Sequence, residues 1–305
     1  MIDPGIGARY HGKTKRVINP DGSFNVVKSG ANIHLLNTYD QLINMSWVKF
    51  LFYSLIAFFT INCVFAIVYM GLGVDQLQGT KSGGHLENFW QALFFSTQTF
   101  TTVGYGAIAP MSKTVSLVAA FEAMIGLMFF ALVTGLLYGR FSRPMSKMRF
   151  SKNVLISPYQ DINALMFRVA NIRNNVLINL EAQVLLTLLE DNQGHFKRTY
   201  YRLNLERDNI QWFPLNWTIV HPINEKSPLW GLSPETLAQK HAELLILLKG
   251  FDDNYSQVVH TKYSYLFNDV KWGAKFKPAY HIGNEGDIIM DLSKMDDLES
   301  APLNG

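Results

Sequence analysis

"TFTTVGYGAIAP", residues 99–110, places two glycines, an aromatic ring and a row of threonines between two long apolar runs. Irregular backbone at membrane depth leaves amides and carbonyls without partners, at a cost of several kcal/mol per group. It is stable there only where protein buries it or where it lines a watery path. The stretch therefore belongs to such a path, or its apolar flanks do not cross a membrane. The flanks decide.

Residues 47–70, "WVKFLFYSLIAFFTINCVFAIVYM", carry Lys49 as their single charge, and residues 114–139, "TVSLVAAFEAMIGLMFFALVTGLLYG", carry only Glu122. Each run exceeds the roughly 20 residues that a helix needs to cross the hydrocarbon. After residue 145 no comparable run follows, and charges return every few positions. The mean hydropathy of +0.06 averages two unlike parts. The expected organisation is an N-terminal segment (1–33), an interfacial helix (34–45), a membrane domain (46–145), a β domain (146–280) and an acidic, partly loose tail (281–305).

Orientation follows from basic residues near the spans. Arg9, Lys13, Lys15, Arg16 and Lys28 precede the first; Arg140, Arg143, Lys147, Arg149 and Lys152 follow the second. The connection 71–113 has only Lys81 and Lys113, so both ends are expected in the cytoplasm of a cell (inner) membrane protein. Residues 1–45 lack the pattern of a secretory signal. The net charge of +3 gives no reason to expect nucleic acid. One cysteine, Cys63, can form neither an internal disulfide nor a four-ligand metal site.

In "HLLNTYDQLINM" (34–45), Leu35, Leu36, Tyr39, Leu42 and Ile43 share one helical face, which fits an amphipathic helix lying on the membrane surface. "ENFWQALFFSTQTF" (87–100) is too short to span; it reads as a half-helix over 88–101, with Glu87 and Asn88 as first-turn or capping residues. Beyond residue 150, segments 164–172, 179–190, 197–205, 216–223 and 243–251 alternate like strands, and "EDNQGH" (190–195) reads as a hairpin turn. That density suggests a β-sandwich. Ser233, Pro234 and Glu235 open one short helix.

The segment TVGYG, Thr102–Val103–Gly104–Tyr105–Gly106, is identified as a potassium selectivity filter by the string itself, four copies of which ring the ion in such channels. A given five-residue string arises by chance in ~1 in 10⁴ chains of this size. The chemistry accounts for the residue types. Carbonyls of Thr102, Val103, Gly104 and Tyr105 can replace the hydration shell of K+, and Gly104 and Gly106 supply the left-handed angles that turn carbonyls inward. Thr102 adds its hydroxyl; Val103 and Tyr105 are expected to wedge against surrounding helices. Thr101, Gln98 and Glu122 are candidate filter supports. One loop per chain requires a homotetramer.

"LMFRVANIRNN" (165–175), "WTIVHPINEKSPLWG" (217–231) and "YSYLFNDVKWG" (263–273) resemble segments of inward-rectifier potassium channels, above all the prokaryotic members, over about residues 30–280. The resemblance implies an α-helical two-span pore domain, a cytoplasmic all-β immunoglobulin-like sandwich, no enzyme activity and no cofactor beyond permeant K+. Where many members carry a half-helix carboxylate, this chain has Gln98, with Ala107–Ile108 after the filter, so support must come from neutral hydrogen bonds. Where strong rectifiers carry an acid in the second span, it has Phe130. Ba2+ and polyamines are candidate blocking cations, but strong polyamine rectification is not expected. The family's aspartate in the 217–231 segment is Asn224 here.

Several residues have two readings. Tyr138, in line with Phe130 and Thr134 at i, i+4, i+8, is a gate ring or an interfacial anchor. Gly126 matches the family's hinge; Gly135 is a hinge or a packing surface. Glu122 braces the filter by bonding the threonine row, faces the cavity, or serves assembly. Arg140, Arg143, Lys147, Lys13, Lys15 and Arg16 bind anionic lipid headgroups or only set topology. His221 and His260 are structural or sense pH. At the level of function, the leading reading is a potassium channel gated from the cytoplasmic side. A membrane-anchored β-sandwich sensor with a non-conducting pore, or a potassium-uptake subunit, would be the alternatives.

Overall fold

The computed structural model describes residues 4–7, 9–10, 16–27, 34–81, 83–142, 147–173, 175–192 and 195–305. Lys13, Lys15, Arg143 and the tip of the 190–195 turn lie outside them. The chain forms two compact units, residues 30–143 and residues 1–29 with 144–305.

After a two-residue strand at Arg9–Tyr10 (β1), the first unit begins with α1, His34–Asn44, and α2, Trp47–Leu72. A strand at Leu77–Gln78 (β2) precedes α3, His85–Phe100; Ala109–Pro110 (β3) precedes α4, Lys113–Phe141. β2 and β3 pair antiparallel and tie the ends of the connection together. The half-helix starts three residues before the expected Asn88, because Gly84 takes the extended capping angles and Glu87 falls in the first turn. Ser112 caps α4, its Oγ accepting from the Val115 amide at 3.3 Å. On α4 the buried residues are Val115, Ala119, Glu122 and Gly126. This single stripe recurs at helical spacing, and most of the remaining apolar surface of α2 and α4 is exposed. A soluble helix shows one apolar stripe and a polar back; these are apolar all round, as membrane helices are.

The second unit is a two-sheet sandwich. Its strands continue as β4 (Met148–Phe150), β5 (Val154–Tyr159), β6 (Ile162–Asn171), β7 (Leu177–Asn192), β8 (His195–Arg202), β9 (Asn209–Trp212) and β10 (Asn216–Ile223). After helix α5 (Pro234–Gln239) come β11 (Glu243–Asp252), β12 (Gln257–Leu266) and β13 (Val270–Trp272). One sheet runs β1-β8-β7-β11-β12 with β9 beside β7; the other runs β10-β6-β5-β13 with β4 beside β6. β7 buries Leu180, Ala182, Val184, Leu186 and Leu188, every second residue, against Leu165, Phe167 and Val169 of β6. Each such fully buried leucine, valine or phenylalanine stabilises the sandwich by about 1.5–3 kcal/mol.

The expected loose tail is a correction. Residues 281–305 are built into the second unit: β14 (Ala274–Phe276) pairs with β17 (Leu298–Ser300), and β15 (Tyr280–Ile282) with β16 (Ile288–Met290). Met295 is fully buried, and the Ala301 amide donates to Gly273 O at 2.9 Å. The acidic composition misleads because its charges have partners: Asp296 pairs with Arg149 at 2.8 Å and accepts from the Lys152 amide at 2.7 Å.

Residues 16–18 dock on the same unit. The Glu243 carboxylate accepts from the Val17 amide at 3.0 and 3.1 Å, while Arg16 donates to Ser264, whose Oγ donates to Ile18 O at 2.9 Å.

Candidate functional site

The loop after α3 grows out of the helix end. Thr101 caps it, and the Thr97 and Thr101 hydroxyls bond back to Leu93 O (2.8 Å) and Thr97 O (2.7 Å). Thr102, Gly104 and Gly106 have φ of +58°, +54° and +80°. Left-handed angles at every second residue turn successive carbonyls to one side, whereas in a strand they alternate. Two of these positions are glycine, as the sequence led one to expect. The third is β-branched Thr102, where the conformation costs about 1–2 kcal/mol and must be held by its surroundings.

Gln98 does the holding. Its backbone carbonyl accepts from the amides of Val103 (3.0 Å) and Gly104 (3.2 Å). Its side-chain Oε1 accepts from the Tyr105 amide at 3.1 Å, and its Nε2 donates to Ile108 O at 2.8 Å. One neutral, buried glutamine thus spans the loop from entry to exit. Val103 and Tyr105 do not wedge against this chain's own helices: they are 54% and 83% exposed.

Glu122 does not contact the threonine row. It is fully buried on α4 and accepts from the Tyr69 hydroxyl of α2 at 2.6 Å and from the Ser96 hydroxyl of α3. Ser96 Oγ also lies 3.1 Å from both Asn62 oxygens. Tyr69, Ser96 and Asn62 were missed by the sequence reading; the only available signal was polar residues inside apolar helices. Gly126, one turn along α4, approaches α3 so closely that a Cβ there would lie 2.0 Å from Phe100 O. That packing requirement is independent of any bending. A Cβ at Gly135 would meet nothing within 4 Å.

Toward the end of α4, Phe130, Thr134 and Tyr138 are all exposed in the single chain, Tyr138 by 74%. The basic set divides. Arg140 turns inward, donating to the carbonyls of Leu42 (2.5 Å), Ile43 (2.9 Å) and Met45 (2.7 Å) at the end of α1 and stacking over Trp47 and Phe50. It satisfies the orphan carbonyls of a helix end, so it is not a free headgroup ligand. Arg16 is likewise held, by Ser264 and over the Tyr263 ring. Lys147 is exposed.

In the β unit, His221 is buried, with Nδ1 at 2.7 Å from Asn204 O and Nε2 at 2.8 Å from Ser227 Oγ. The carbonyl can only accept, so Nδ1 carries the proton and Nε2 accepts from the serine. Burial pushes its pKa below the ordinary 6.5. His260 is exposed. Asn224 closes its own turn, Oδ1 accepting from the Lys226 amide at 3.0 Å. Arg168 reaches across to Lys277 O at 2.6 Å and over Phe276, holding the C-terminal segment.

Two family models match: the inward rectifier potassium channel C-terminal domain over residues 148–304, and ion channel over residues 63–143. The chain is 31% identical to inward rectifier potassium channel Kirbac3.1 of Paramagnetospirillum magnetotacticum, over 96% of this chain and 98% of that one. It is 25% identical to ATP-sensitive inward rectifier potassium channel 15 of Mus musculus, over 98% and 85%. It is 29% identical to G protein-activated inward rectifier potassium channel 4 of the same species, over 64% and 49%.

Proposed function

This chain belongs to the inward rectifier potassium channel family, and we propose that four copies of it surround one potassium path whose selective part is residues 102–106. It is a membrane protein and a potassium channel. The observation that carries the finer reading is the alternation of left-handed angles at Thr102, Gly104 and Gly106, which lines up carbonyls to replace the hydration shell of K+. Val103 and Tyr105 are left uncovered by their own chain, which supports completion of the ring by other copies. The C-terminal end of α3, partially negative through its aligned peptides, is joined directly to the loop and favours a cation there.

In this reading both termini are cytoplasmic, as the basic residues around the spans favour. The exposed Phe130, Thr134 and Tyr138 line the inner path, and a ring of four Tyr138 side chains closes it by dewetting. α1 lies on the membrane surface and is tied to α4 by Arg140. Anionic lipid headgroups act through Lys15, Arg143 and the exposed Lys147, basic residues that flank the spans. With Phe130 in place of an acid, polyamines block weakly.

Rubidium uptake into liposomes holding the purified protein tests this. Uptake that Ba2+ blocks and Na+ does not share supports the channel. No uptake under any lipid composition would leave a membrane-anchored β-sandwich with a non-conducting pore.

A further inference from the structure

We propose that Ser96 and Gly126, neither of which touches the ion path, are positioning residues for potassium selectivity: they set the register of α3 on α4 and through it the filter backbone. The inference rests on the channel reading. α3 presents Ser96 and Phe100 one turn apart, and α4 presents Glu122 and Gly126 one turn apart. The first members of these pairs are joined by the Ser96–Glu122 hydrogen bond, with the second carboxyl oxygen fixed by Tyr69 at 2.6 Å. The second members meet where Phe100 O occupies the space a Cβ of residue 126 would need.

Two contacts at equal spacing fix both the height and the rotation of one helix on another; a single contact would leave α3 free to pivot. The Phe100 ring adds a third constraint, fully buried with centroids 5.6 Å from Phe58 of α2 and 5.5 Å from Phe129 of α4. Gln98, whose carbonyl and side chain hold Val103, Gly104, Tyr105 and Ile108, lies between Ser96 and Phe100 on the same turn. A slip of α3 is therefore passed directly to the amides that keep Thr102 and Gly104 left-handed. α4 as far as Gly126 moves with the filter as one body, and bending of α4 falls beyond it, where Gly135 has open space.

The test is the ratio of rubidium to sodium flux in liposomes for the full-length protein and for Ser96→Ala, Gly126→Ala and Gly135→Ala, with tetramer content measured on each sample. Ser96→Ala should lower the ratio about tenfold, the population shift expected from losing one hydrogen bond, and Gly126→Ala, whose added methyl pushes Phe100 O away, should lower it at least as far, with the tetramer intact. Gly135→Ala should leave the ratio unchanged. If Ser96→Ala and Gly126→Ala alter total flux but keep the ratio, they act on opening and the proposal is overturned. Should Gly126→Ala fail to assemble, Ser96→Ala decides alone, since it removes one oxygen and adds no bulk. An original protein without rubidium-selective flux would instead overturn the channel reading, and this inference with it.

Discussion

The Arg198 guanidinium lies 3.4 Å from the Glu243 carboxylate, with both side chains only 2% exposed. The same carboxylate receives the Val17 amide, so one buried acid joins the N-terminal segment to the middle of the large sheet. Removing the carboxylate takes an acceptor from the buried Val17 amide and one partner from the Arg198 guanidinium, which also donates to Thr187 Oγ1 at 2.8 Å. Glu243→Ala should therefore destabilise the β unit by about 1–3 kcal/mol and free residues 16–18. Thermal unfolding in detergent measures the first effect, and the rate of tryptic cleavage after Arg16 the second. Unchanged cleavage would mean that Arg16 and Ser264 alone hold the segment.

His221 makes stability depend on pH. Its folded pKa is depressed, so the folded protein binds this proton less readily than the unfolded chain does. Its contribution is complete above the ordinary value of 6.5 and is lost as pH falls from there toward the lower folded value. Melting curves from pH 7.5 down to about pH 5 should fall more steeply for the original protein than for His221→Asn, because only the former gains a buried charge. Parallel curves would assign the loss to other groups.

Gly104 has φ of +54° with open space around the position of a Cβ. The cost of Gly104→Ala is thus conformational, about 1–2 kcal/mol per chain. Multiplied over four copies of one ring, it should abolish selective rubidium uptake while the tetramer still assembles. Selective uptake by the variant would refute the assignment of residues 102–106.

Phe130 is exposed on α4, one helical turn before Thr134. If it lines the path, Phe130→Asp places a ring of four carboxylates there, and spermine should block outward current at least tenfold more strongly. Equal block of both proteins would place the polyamine site outside α4.

Tyr138→Ala separates a gate from an anchor. Widening the narrowest ring lets water into the closed path, so uptake should rise in lipid mixtures that keep the original protein shut, with selectivity unchanged. Unchanged uptake together with a weaker tetramer would identify Tyr138 as an interfacial anchor.

What the sequence determined by itself was local in origin. Two apolar runs of spanning length, the TVGYG string and the alternation of strands such as Asn216–Ile223 are each written in adjacent residues. The roles of long-range partners were not. Glu122 meets Tyr69 across 53 positions and Ser96 across 26, and Arg140 meets Leu42 across 98. No periodicity encodes such pairs, because they follow from which helix faces pack together. Thr102 shows the same division within the filter. Glycines could be matched to left-handed angles in advance, but a threonine adopts them only because Gln98, fixed by tertiary packing, holds the backbone that follows it, from Val103 to Tyr105.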